Sequence, residues 1–94
     1  MATYVQFHGA NYMEGYGVIA GGSVVSETIT ESGSNQQSAA GSKPFVTVCS
    51  TVAVFVAIGE NPNATTATAR HYQPAGVPVT YGIAQGHKVA VVTA

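Results

Sequence analysis

No leucine occurs anywhere in the 94 residues, and neither aspartate nor tryptophan does. Leucine is normally the mainstay of helix cores. A chain without it must build its interior from side chains that suit a pleated sheet. Here valine and alanine supply most of the apolar residues, with threonine, isoleucine, tyrosine and phenylalanine beside them. No window places apolar residues at i, i+3, i+4 and i+7 between capping signals, so the pattern holds no amphipathic helix. Strands are what remains.

Turn chemistry divides the chain into short runs. Residues 45–49 and 52–58 alternate valine with small or aromatic residues. In the second run Val52, Val54, Val56 and Ile58 share one face, with Ala53, Phe55 and Ala57 on the other. Both faces are apolar, which predicts a central strand covered on both sides. Ser50 and Thr51 between the runs fit either a tight turn or a bulge in one long strand. Gly59 ends the run, and residues 60–69 form a long loop of small and turn-forming residues, of the kind that is usually functional or mobile.

Beyond it, residues 70–73 are extended. Pro74-Ala75-Gly76 fits a type I turn, and Pro78 forces Val77 into extended geometry ahead of residues 79–83. Gly86 supplies positive φ for a turn, and residues 88–93 make the last strand. In the first half, 3–8, 16–20 and 24–31 read as strands. The polar stretch 32–42 is either a flexible loop or the cover of a short edge strand at 36–40. Seven or eight short strands with frequent turns predict one all-β domain over residues 1–94, an antiparallel β-sandwich or jelly roll.

The charged fraction is 7%, against about 25% in ordinary soluble domains. Such a surface resists association poorly and suits a protein that works assembled with neighbours. Net charge is −1, with Lys43, Arg70 and Lys88 as the fixed cations. Nucleic-acid binding leaves a basic footprint that is missing here. Membrane-surface binding wants a cationic amphipathic helix, the start of the chain has no signal-peptide pattern, and 45–59 is too short and too interrupted to span a bilayer. The sequence therefore predicts a protein made in the cytoplasm, with neither nucleic acid nor membrane as partner.

No residue set points to chemistry. His8, His71 and His87 lie on separate segments without metal-ligand spacing. Glu27 and Glu31 would share one strand face in solvent, and no carboxylate pair suggests catalysis. Gly15-Tyr16-Gly17 echoes a dinucleotide fingerprint but lacks the following helix. Cys49 is the single cysteine, expected to be a buried inert thiol. No enzyme activity, cofactor or metal is expected. The aromatics say more: Tyr4, Phe7, Tyr12 and Tyr16, with Met13, crowd the first 16 residues. These types are enriched at interfaces. Residues 1–16 are then either an arm that docks on a partner or a first strand whose rings cover the core.

From Val52 onward the chain resembles a family of small virion proteins of tailed bacteriophages. The resemblance rests on residues 54–59 (VFVAIG), 61–64 (NPNA), 74–78 (PAGVP), Tyr81 and 86–91 (GHKVAV), a little under half of the chain. It implies a compact β-sandwich or jelly roll on the capsid exterior. The function would be that of a decoration or cement protein binding the major capsid protein and other copies of itself as a homotrimer. The alternative is a tail or baseplate module recognising host carbohydrate, with Tyr72 and Tyr81 beside the 59–69 loop as a stacking platform.

Overall fold

The computed structural model of the protein describes residues 2–8 and 24–94. They form strands β1 (Thr3–His8), β2 (Val24–Ile29), β3 (Gln36–Gln37), β4 (Phe45–Ser50), β5 (Val54–Gly59), β6 (His71–Gln73), β7 (Val79–Gly82) and β8 (Lys88–Thr93). No helix occurs among the described residues. Two four-stranded antiparallel sheets, ordered β2-β1-β4-β7 and β3-β8-β5-β6, pack face to face as a β-sandwich. The strand expected at 16–20 lies outside the described residues.

The core follows from side-chain alternation. Val5, Phe7, Ile29, Val46 and Val48 point inward from the first sheet, and Val54, Val56, Val89 and Val91 from the second. β5 has the two-sided burial its sequence predicts. Its other face belongs to a second apolar cluster of Ala57, Ala64, Ala90 and Val92, on the outside of the second sheet.

Residues 51–53 are neither a hairpin turn nor a bulge. β4 and β5 lie in different sheets, so this segment is a corner that carries the chain across the sandwich. Ser50 fits it because its hydroxyl accepts the Val52 N–H at 3.3 Å and its carbonyl accepts Gly76 N–H at 2.8 Å. Gly76 and Gly86 both have positive φ, at 75° and 84°, as their turns require.

The pairing also has a winding. β5·β6, β4·β7, β3·β8 and β1·β2 are four antiparallel rungs, and successive rungs alternate between the two sheets. β1·β4 and β5·β8 stitch the rungs side by side. In a continuous wound ribbon the strand after β8 would occupy the place beside β2. Here β1 takes that place.

Residues 2 and 94 accordingly meet at one corner: Thr51 N–H donates to Ala2 O at 2.9 Å, and Ala94 N–H to Ala53 O at 3.1 Å. This geometry predicts that a circular permutant will fold. Residue 94 would be joined to residue 2 by a short Gly-Ser linker, and the chain opened between the exposed Gly33 and Ser34. Its urea unfolding should stay cooperative, with a midpoint near that of the parent. Loss of cooperative unfolding would refute the winding described here.

Candidate functional site

A sandwich has two outer faces available for contact, and this chain treats them differently. Over the second sheet, residues 60–70 fold back onto β5 and β8. Ala64 is fully buried against Ala57, Ala90 and Val92. The Arg70 guanidinium lies 3.9 Å from the centre of the Phe55 ring and donates to Ala64 O at 3.1 Å. Asn35 clamps the segment from the side, donating to Pro62 O at 3.1 Å and accepting Ala64 N–H at 2.8 Å. Gln37 donates to Pro62 O at 2.7 Å and Asn61 Oδ1 at 2.9 Å. The long loop 60–69 thus packs against this sheet as its cover.

Tyr72 stands at the rim of that cover, 59% exposed and edge-on to Phe55 at 5.8 Å. Tyr81 is elsewhere. It lies on β7 of the other sheet, with its ring 5.3 Å from His71 and its hydroxyl donating to Gln73 at 3.1 Å. Burial raises the pKa of that hydroxyl above the ordinary tyrosine value. Tyr72 and Tyr81 therefore do not form one stacking platform.

The outer face of the first sheet is different in kind. Register places Tyr4, Gln6 and His8 beside Ser26 and Thr28 on one flank. On the other flank stand Phe45, Thr47 and Cys49, then Thr80 and Gly82. Tyr4, Gln6, Ser26 and Thr28 are exposed. His8 is buried, stacked on Phe45 at 5.9 Å and 2.9 Å from the Thr47 hydroxyl, which in turn lies 2.8 Å from that of Thr80. Among the described residues, no strand position on this face carries a carboxylate or a fixed cation. Cys49 is half-buried beside Tyr4 rather than sealed in the core.

The aromatic group singled out in the sequence is divided by strand parity. Tyr4 belongs to the exposed face and is 48% exposed, whereas Phe7 points inward and is 3% exposed. Residues 3–8 are a built-in strand between β2 and β4. Tyr12, Met13 and Tyr16 lie outside the described residues. His8, His71 and His87 are on separate parts of the molecule, and among the described residues no three metal-capable side chains come together.

Glu27 and Glu31 do not share a solvated face. Glu27 is on the inner side of β2, where Oε1 accepts the Ala39 N–H at 3.0 Å. Glu31 lies beyond the end of β2 and is 1% exposed. Its Oε2 accepts from the Thr3 hydroxyl at 2.7 Å, and that hydroxyl lies 3.1 Å from Ser50 Oγ. Glu31 Oε1 is buried without a hydrogen-bond partner among the described residues. A buried carboxyl held by one donor is costly, and sequence polarity gave no sign of it.

Comparison of the chain with family models, curated proteins and solved structures finds no match.

The Glu31 arrangement predicts that Thr3→Val lowers stability by about 2–3 kcal/mol in urea titration, because the buried carboxyl loses its donor. In a Glu31→Leu background the same change should cost much less, since both polar partners are then replaced together. Equal losses in the two backgrounds would show that the hydroxyl does not support the carboxyl.

Proposed function

We propose that the protein is a structural virion protein, a capsid decoration or cement protein that stabilises the head by bridging capsid subunits as a homotrimer. The observation that carries this reading is the outer face of the first sheet, exposed at Tyr4, Gln6, Ser26 and Thr28 and, among the described strand residues, free of carboxylates and fixed cations. Burying an ion against a partner costs several kcal/mol in desolvation. A face of hydroxyls, amides and a tyrosine ring avoids that cost and keeps groups that can hydrogen-bond across the contact.

Two further features support the reading. The likeness of residues 52–91 to small phage virion proteins points to the same class. Rungs alternating between the sheets are consistent with a jelly roll, an architecture used in viral capsids and in lectins. Many copies, each binding two or more shell subunits, would add up to a large effect from a modest contact.

Shells assembled with and without the protein test this directly. Thermal melting followed by a dye that reports released DNA should show shells without it breaking at lower temperature, with add-back restoring the difference. Thr28→Lys, which places a charge on the face, should weaken shell binding by about tenfold or more while leaving the melting of the isolated protein unchanged. Equal shell stability with and without the protein would overturn the proposal. A copy number of a few per particle would favour the carbohydrate-binding tail module.

A further inference from the structure

β2 is the outermost strand of its sheet, and none of the described residues pairs with its outer edge. Val25 on it is 53% exposed, and Ser26 and Thr28 are exposed. Beside the strand is a notch of about 60 Å³ lined by Phe7, Val25, Glu27, Ala39, Gly41 and neighbours. Most of its lining is apolar, which suits an aliphatic side chain. Its floor is tight, since a methyl group on Gly41 would stand 2.4 Å from Phe7 ring carbons.

The edge and the notch belong to one geometry. Side chains directly opposite each other across a strand pair lie on the same side of the sheet. A strand added to β2 would therefore send the side chains facing Val25 and Glu27 inward, toward the notch. Glu27 sets the charge it wants: one carboxylate oxygen is tied to Ala39 N–H, and no described cation pairs with it. We propose that the β2 edge binds an antiparallel extended strand of another protein. That strand would carry a basic residue opposite Glu27 and, two positions later, a branched aliphatic residue opposite Val25. The mode is β-strand addition, with main-chain bonds giving affinity and the notch giving specificity. The inference extends the reading of the protein as a subunit-binding component.

A second copy fits poorly. Two positions after Lys43, Arg70 and Lys88 stand Phe45, Tyr72 and Ala90, none of them branched aliphatic. β2 pairing with its own copy about Ser26 would set a carboxylate opposite Val25, and pairing about Glu27 would set two carboxylates together. Either is unfavourable.

The test uses the intact protein, isotope-labelled for NMR, and the peptide Ac-TTKTVTT-amide at concentrations up to about 1 mM. Saturable amide shifts confined to residues 24–29 and 39–42 are expected. Changing the peptide lysine to glutamate should weaken binding about tenfold, and Glu27→Lys in the protein should reverse that preference. No shifts, or shifts elsewhere, would overturn the proposal, as would concentration-dependent shifts of β2 without peptide, which would identify a second copy. Shell binding separates the two readings. If Val25→Lys protein binds shells as the parent does, the edge proposal fails and the decoration reading stands. If the parent does not bind shells, the decoration reading fails whatever the peptide does.

Discussion

Everything in this protein hangs from a layer of valines between two sheets. Val5, Val46 and Val48 meet Val54, Val56, Val89 and Val91, and each is fully buried. Short β-branched side chains fill the ~10 Å between packed sheets without helices or long aliphatics. They leave little reach toward the open sides of the sandwich, and those sides are closed by polar groups. On one side Gln73, pointing inward from the edge strand β6, donates to Val48 O and Val77 O and accepts from Tyr81. On the opposite side Glu27, pointing inward from the edge strand β2, accepts from Ala39. Two edge residues thus lace the layers together where the valines stop.

The small side chains also decide what the outer faces become. Ala57 and Ala90 leave the outside of the second sheet flat enough for residues 60–70 to lie against it, with Ala64 inserted and Arg70 closing the cover over Phe55. The first sheet presents hydroxyls, amides and one tyrosine ring on its exposed outer face. The asymmetry gives the low charge a place in the structure. Among the described charged side chains, Glu60, Arg70 and Lys88 lie on or beside the second sheet, Lys43 stands just ahead of β4, Glu31 is buried and Glu27 is turned inward. Among the described residues, the strand positions on the outer face of the first sheet carry no ion.

Strands with a two-residue period were legible because burial on one or both sides leaves its mark in sequence. β5 is the clearest case, with Val54 and Val56 inward and Phe55 and Ala57 outward. The corner at 51–53 was not legible, because Ser-Thr serves equally in a turn, a bulge or a crossover, and only sheet membership distinguishes them. The polar stretch 32–42 reads either as a flexible loop or as the cover of a short edge strand at 36–40; an edge strand is there, at Gln36–Gln37, and Asn35 and Gln37 are also structural clamps. An amide that satisfies a distant carbonyl looks the same in sequence as one that faces water. Glu31 misleads for the same reason: a carboxylate reads as solvated until its partner, 28 positions away on Thr3, is known. Tyr4 and Phe7 are neighbours in sequence, but strand parity sends Tyr4 out and Phe7 in.

The edges show what remains available. A two-layer sandwich cannot abolish its edge strands as a barrel does, and a charge-poor chain lacks the lysines that usually blunt them. This chain shortens them instead. β3 has two residues, β6 three and β7 four, so each offers few main-chain groups to a stranger. β2 has six. Among the described residues its guard is Glu27, an inward-pointing charge that discourages indiscriminate pairing. That guard is also selective, because a strand bringing a cation to the carboxylate removes the penalty while a neutral or acidic strand does not. A longer edge that no described residue pairs with, gated by charge, is what a binding strand requires, and the other three edges are too short to offer it.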